Sequence, residues 1–202
     1  MEARESGLPG VELFPGDHVC AMFFGLQERD EIVAPYLEAG LRAGDKCICI
    51  VDAPPLDVLA ARIGDEREIE GYIASEQLEL LSPVDLYLRV RPFSSESMIE
   101  WWEDSLAAAS ASGVYRSSRA TGEMPGEWQA IAREEWFHYE SDFNRFLEGH
   151  PDTIICLYDL ERFGGGFMID LLRTHPKLLM GGLLLENPHW RRPEILFPGD
   201  AP

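Results

Sequence analysis

The feature that most constrains this chain is a set of short apolar runs with little alternation. They are HVCAMFF at 18–24, KCICIVDA at 46–53, TIICLYD at 153–159 and KLLM at 177–180. A strand with one face in water alternates apolar and polar side chains, whereas a strand covered on both faces need not. TIICLYD is continuous enough to be a central strand. Between the runs, apolar residues recur at helical spacing, as with Ile32, Tyr36, Leu37 and Leu41 ahead of a stop at Gly44. Strands alternating with helices predict an α/β fold: a three-layer, mostly parallel sheet with helices on both faces. KLLMGG and LLLENP meet at Gly181–Gly182 with no helix between them, which predicts an antiparallel C-terminal edge.

At 202 residues the chain suits one domain, expected over 16–190, between a flexible N-terminal arm (1–15) and a C-terminal tail (191–202). PLDVLAARIG and EREIEGYIAS predict two short helices, and QLELLSP a strand. Residues 84–95 are expected to be irregular or extended. SESMIEWWEDSLAAASASG predicts a helix capped by Ser95 and ended at Gly113. VYRSSRATGE predicts a strand, Trp128–Leu147 a long aromatic helix, and GFMIDLLRTH a further helix.

The formal charge is −19, from 36 acidic and 17 basic residues. Binding to nucleic acid or anionic lipid draws on basic residues that release counterions. Direct contact with either is therefore not expected. The N-terminus has no apolar signal-like segment, and LLMGGLLL is too short to span a bilayer. Cys20, Cys47, Cys49 and Cys156 lie in or beside apolar runs without CxxC or Cys/His pairing, so reduced core cysteines in a cytoplasmic protein are expected and no metal set is assigned.

The stretch HVCAMFFGLQERDEI has the strand–turn–helix outline that holds a phosphate in nucleotide-binding α/β proteins. A phosphate loop needs several glycines, a lysine and a Ser or Thr. This turn has Gly25 alone, followed by Leu26, Gln27, Glu28, Arg29, Asp30 and Glu31. Carboxylates near the helix N-terminus suit its positive end and repel an anion brought there. FGGGF at 163–167 also lacks a lysine and is expected to be a flexible connection.

In open α/β sheets, ligands sit beyond the carboxyl ends of the strands. Asp52, Glu123, Tyr158 and Asp159 follow or end predicted strands and are expected to converge there. Arg119, Thr121 and Glu123 share a strand parity, and an inward Arg119 needs a carboxylate, expected to be Glu123 or Asp159. His18 opens the first strand and His175 ends a helix. Each is a ligand contact or a structural residue. His138 and Asp142, at i and i+4, lack further metal ligands nearby. No nucleophile elbow appears, and burial silences Cys20 and Cys156 even with His18 at hand, so no catalytic residue is assigned.

Four segments carry a resemblance: DHVCAMFF, RATGEMP at 119–125, CLYDLERF at 156–163 and LLRTHPKLLMGG at 171–182, with LLENPHW after them. In order and spacing the chain resembles the MEDS domain, the sensory domain named for methanogens, methylotrophs and the dichloromethane-responsive repressor. The likeness spans about residues 16–190. It implies a RecA/KaiC-like fold without a working phosphate loop and a role in sensing small molecules, proposed to be hydrocarbon derivatives. It also implies a signalling partner such as a histidine kinase, an anti-sigma factor or a transcription regulator. No output module follows the last motif, so the signal is expected to pass to another protein.

The expectation is a non-catalytic sensory domain that binds a small organic molecule through His18, Asp52, Arg119, Thr121, Glu123, Tyr158, Asp159 and His175. The cofactor and the oligomeric state are left open. Two alternatives remain: an enzyme using Glu123 or Asp159 as general base, and a ligand-free interaction module presenting Trp101, Trp102 or Trp190. Loops 84–95 and 160–167 are the expected moving parts.

Overall fold

The computed structural model describes residues 2–63, 65–88, 93–125 and 131–198. In chain order the elements are β1 (Arg4–Glu5), β2 (Glu12–Leu13), β3 (His18–Phe23), α1 (Gly25–Ala43), β4 (Lys46–Ile50), α2 (Leu56–Ile63), α3 (Glu66–Ala74) and β5 (Leu78–Leu81). They continue with α4 (Pro83–Leu88), α5 (Ser95–Ala111), β6 (Ser118–Glu123), α6 (Arg133–Leu147), β7 (Thr153–Asp159), α7 (Gly165–Thr174), β8 (Lys177–Met180), β9 (Leu183–Glu186) and α8 (Pro193–Leu196).

A seven-stranded sheet runs in the order β5-β4-β6-β7-β3-β8-β9. All its pairings are parallel except β8 with β9, which turns back at Gly181 and Gly182, both at positive φ. The continuous apolar strands are central because helices cover both faces. Side-chain parity then divides each strand between two cores. Val19, Ala21, Phe23, Ile155 and Leu157 join residues of α1, α2 and α3 on one side. Cys20, Met22, Ile154, Cys156 and Tyr158 join residues of α5, α6 and α7 on the other. This is the expected three-layer architecture with an antiparallel C-terminal edge.

Local signals place most helix ends. Gly44 caps α1 in the left-handed conformation, and Ser94, one residue before the expected cap, accepts the Ser97 N–H at the start of α5. Three local expectations change. Within 84–95, Pro83–Leu88 is a helix, because proline fits the first turn where its missing N–H has no partner in any case. The part of that loop at 89–92 and the helix start expected at Trp128 lie outside the described residues. FGGGF is the entry to α7: Gly165 and Gly166 begin the helix, and the rings of Phe163 and Phe167 stack at 4.7 Å. The N-terminal segment expected as a flexible arm carries the β1–β2 ribbon, which buries Val11 and Leu13 against the α1 side. In the tail, Phe197 stacks on His138 at 3.6 Å, and Asp142 accepts from Ser95 and Arg145.

Helix α1 lies close to the sheet at Gly40. A Cβ there would stand 2.7 Å from both the Arg119 Cδ and the Cys47 Sγ, two buried atoms with little room to retreat. Gly40→Ala is expected to lower stability by about 1–3 kcal/mol through overpacking. Urea unfolding followed by circular dichroism checks this; an unchanged midpoint would contradict such a tight α1–sheet contact.

Candidate functional site

At the carboxyl edge of the sheet, the turn after β3 is filled by the protein's own side chains. The Glu28 carboxylate accepts the Phe24 N–H at 2.8 Å, taking a backbone donor that an anion would otherwise use. The next residue, Arg29, is buried. Its guanidinium donates to Glu123 Oε2 at 3.1 Å, to Asp30 Oδ1 at 2.8 and 2.9 Å, and to the Ala53 carbonyl. Burial alone would lower the Arg29 pKa, but Asp30 and Glu123 raise it, so it stays cationic.

Glu123 also receives the Asp52 N–H at 3.4 Å, and Arg162 approaches Glu123, Asp52 and Asp159 at 3.5–3.9 Å. Burial pushes Glu123 upward against the pull of Arg29. Asp52, Glu123 and Asp159 therefore do come to one edge, as the strand-end rule predicts, within a mesh of two guanidiniums and four carboxylates counting Asp30. That mesh has an anionic surplus, which repels a phosphate.

Arg119 is not part of this edge. Its Nε meets Asp45 Oδ2 at 2.8 Å and its Nη1 the Glu5 carbonyl at 2.7 Å, so the expected pairing with Glu123 or Asp159 is corrected. Parity placed Arg119 and Glu123 on one face, but four residues of strand separate them by about 13 Å. Arg119 turns toward the amino end, where Ser117 also holds Asp45. Thr121 lies between them, fully buried beside Cys49 in the ladder.

Tyr158 is likewise not at the edge. It neighbours Asp159 in sequence, so the two side chains leave β7 on opposite faces. Its hydroxyl donates to Glu140 Oε1 in a short hydrogen bond and accepts from Trp136 Nε1 at 2.8 Å, under α6.

That contact belongs to a second constellation, enclosed on the α6 side. His18 from β3, Glu140 from α6, Cys156 from β7 and His175 at the end of α7 are all buried. Glu140 Oε2 is 3.2 Å from both His18 Nε2 and His175 Nε2, and Cys156 Sγ is 3.2 Å from His18 Nε2. One ligand-capable atom from each residue falls within 4.8 Å of every other, a spacing that a metal's ligand shell can use. Burial and the neighbouring His175 lower the His18 pKa, which favours its neutral form. Burial would raise Glu140, but the two histidines hold it well below the usual carboxylate range. Burial and Glu140 push the Cys156 thiol up, so it is no free nucleophile.

Sequence reasoning identified His18, His175 and Tyr158 singly and missed Glu140 and Cys156 as site residues. The ligands come from four elements far apart in the chain, so no local spacing announces them. One signal was present. Glu140 sits on the apolar stripe of α6, at i+4 from Trp136 and i−3 from Phe143, where a carboxylate is out of place without partners.

The Arg29–Glu123 pair changes what a mutation at the edge does. Glu123→Ala strands a buried guanidinium and is expected to cost about 3–5 kcal/mol, toward the lower end because Asp30 and the Ala53 carbonyl remain. Glu123→Gln, which keeps a neutral acceptor, loses less. Chemical denaturation of the two variants checks the order; equal and negligible losses contradict it.

A family model described as MEthanogen/methylotroph, DcmR Sensory domain matches residues 17–176. The chain is 26% identical over 179 residues to the transcriptional repressor DcmR of Methylorubrum extorquens, covering 86% of this chain and 63% of that repressor. Among solved structures, a KaiC-like protein from Pyrococcus horikoshii has a TM-score of 0.58 at 12% identity, covering 89% of this chain and 80% of that one. The flagellar accessory protein FlaH from Methanocaldococcus jannaschii has a TM-score of 0.53 at 10% identity, covering 85% and 76%. These two likenesses show a KaiC-like, RecA-type fold. With the match spanning most of the chain, from the strand that opens with His18 to the turn after His175, the protein belongs to the MEDS family of sensory domains.

Proposed function

We propose that the chain is a non-catalytic sensory module that binds a small, weakly polar organic molecule and passes a conformational change to a signalling partner. The partner is a histidine kinase, an anti-sigma factor or a transcription regulator. The observation that carries this reading is the self-filled turn after β3. Glu28 takes the Phe24 N–H and Arg29 is held by Glu123 and Asp30, so the turn at the nucleotide position of a RecA-type fold gives a backbone donor and its own cation to internal carboxylates.

At the same end of the sheet, a cavity of about 380 Å³ opens between α4 and α5. Leu81, Tyr87, Phe93, Met98 and Trp101 give it apolar walls, and Ser97 and Asp85 supply polar rim groups. Such a mix suits a small uncharged ligand. The exposed strand-end groups Asp52 and Arg162 are the polar counterpart on that edge, with Asp159 behind them.

A ligand signals only by binding two conformations unequally. Tyr87 offers a path inward, because its ring packs edge-on against Trp136 at 5.2 Å, and Trp136 donates to Tyr158. On the far edge of the sheet, Leu183, Leu185 and Met180 expose apolar surface that suits contact with a partner. No helix among the described residues is long and apolar enough to cross a membrane. The four free, buried thiols fit a reducing, cytoplasmic setting.

The enzymatic reading draws on the upward push that burial gives Glu123, the sign a general base needs. It is the weaker of the two, because Arg29 already grips the carboxylate. The interaction-module reading loses Trp102, which is buried and donates to the Tyr139 hydroxyl at 2.8 Å.

Thermal-shift measurements test the proposal with magnesium–ATP on one side and a panel of short halogenated and oxygenated hydrocarbons on the other. The expected result is no shift with the nucleotide and a saturable rise with at least one organic compound. Ser97→Trp, an exposed position on the cavity wall, is expected to abolish that rise while leaving the unliganded melting temperature nearly unchanged. Saturable stabilisation by magnesium–ATP would overturn the reading, as would an organic response indifferent to Ser97→Trp.

A further inference from the structure

We propose that His18, Glu140, Cys156 and His175 form a binding site for a single borderline divalent cation of the zinc type. The inference stands apart from the small-molecule reading above, since it needs neither the cavity nor a ligand.

The argument begins with protons. Asn144 Nδ2 donates to the carbonyls of Glu140, Ser141 and Thr174 at 3.0, 3.2 and 2.7 Å, which fixes the amide orientation and turns Oδ1 toward His18. His18 Nδ1, 3.1 Å from that oxygen, must be the donor. In a neutral imidazole, Nε2 is then a bare lone pair. The same holds at His175. Thr174 Oγ1 donates to the Leu171 carbonyl, so its lone pairs are free to accept His175 Nδ1–H at 2.9 Å. In the neutral tautomer this leaves the second Nε2 bare as well.

Both lone pairs point at Glu140 Oε2, itself an acceptor, and Cys156 Sγ completes the group. Glu140 Oε2 and His175 Nε2 are buried with no hydrogen-bond partner. With both imidazoles neutral these acceptors repel; a proton on one imidazole would answer Glu140 alone, whereas a metal cation takes all four donors at once. Histidines whose outer N–H is tied to a carbonyl, hydroxyl or amide oxygen, with the inner nitrogen left bare, have the outer-shell arrangement of metal ligands.

Geometry and charge agree with a cation. Zinc binds nitrogen and oxygen at about 2.0–2.1 Å and sulfur at about 2.3 Å, giving tetrahedral edges of about 3.3–3.6 Å. Three of the six donor separations here are 3.2 Å, and all lie within 4.8 Å. Two imidazoles, a carboxylate and a thiol are a borderline donor set, unsuited to magnesium or calcium, which favour oxygen. On binding, Cys156 loses its thiol proton to solvent and a sulfur–metal bond forms. One carboxylate and one thiolate then neutralise the dication, so the filled site carries no net charge in a region that excludes water. With four protein ligands the coordination is closed, as in structural rather than catalytic zinc sites. The ion would tie β3, β7, α6 and the α7–β8 joint together.

Cobalt reports the same site spectroscopically. The whole 202-residue chain, expressed with added zinc, is analysed for bound metal, then unfolded, stripped and refolded with Co²⁺. The expected results are one zinc per chain surviving dialysis, and a cobalt spectrum with intense tetrahedral d–d bands and a thiolate-to-cobalt charge-transfer band. Cys156→Ser is expected to remove the charge-transfer band. Tyr158→Phe, which deletes only the hydroxyl bonded to Glu140, is expected to weaken affinity about 10- to 100-fold. If Cys156→Ser fails to fold, the wild-type cobalt spectrum still decides. Weak octahedral bands without a sulfur transition overturn the proposal, as does metal content well below one per chain. Either result would leave the cluster a histidine–carboxylate ion pair.

Discussion

A carboxylate moved from water into a protein interior costs several kcal/mol unless its surroundings return that energy, and Glu140 is enclosed on every side. What compensates it comes from four other places in the chain. His18 arrives on β3, Tyr158 on β7, His175 at the junction of α7 and β8, and Trp136 supports Tyr158 from one turn earlier on α6. A slide of α6 by one turn breaks every contact to Glu140, and a one-residue register shift of β7 breaks those of Tyr158, because strand parity then exchanges Tyr158 for Leu157 or Asp159. The α6 side of the molecule is otherwise a smooth aromatic core, in which hydrophobic burial alone tolerates many packings. The Glu140 cluster selects one.

Much of the architecture was legible because it rests on parity and continuity. TIICLYD had to be central, KLLMGG and LLLENP had to turn back on each other, and the turn after Phe24 had to lack a phosphate grip. Each of these follows from a few adjacent residues. The sheet order was not legible, since nothing local tells β6 to lie between β4 and β7. Arg119 shows the limit in miniature. Parity gave its face correctly, but the direction in which a long side chain leaves a strand depends on what waits at either end. Asp45 and the Glu5 carbonyl waited at the amino end. The helix at Pro83–Leu88 was missed for a different reason: proline there reads as an interruption, although at a helix's first turn it is favourable.

The site was less legible than the fold. His18, His175 and Tyr158 were each visible as polar residues next to apolar runs, yet their common partner lay on a helix between them in sequence and looked like one more member of an acidic chain. With 36 acidic residues, a single buried glutamate has no compositional signature. Its only mark is position: a carboxylate on the inward stripe of α6, flanked by Trp136, Tyr139 and Phe143. A charge on the buried face of an otherwise apolar helix implies an opposite charge, a proton donor or an ion facing it.

The two constellations divide the fold between them. In a RecA-type sheet the carboxyl edge is the place for chemistry on a nucleotide, and here that edge has been closed by Arg29, Glu123 and Glu28. Closing it removes the need for a mobile, hydrated loop after β3 and lets α1 begin directly at Gly25. The polar interior lies instead under α6, reached from the edge through Tyr87, Trp136 and Tyr158 in continuous ring and hydrogen-bond contact. On the sensory proposal, a change in the α4–α5 cavity that moves Tyr87 would press on Trp136, whose indole donates to Tyr158, and Tyr158 in turn is bonded to Glu140. Packed interiors respond to such a push by switching between discrete arrangements rather than by bending continuously. On the sensory proposal, a RecA-type scaffold without its phosphate grip would convert a small event at a strand end into a repositioned helix, with α6 the element whose register the buried glutamate decides.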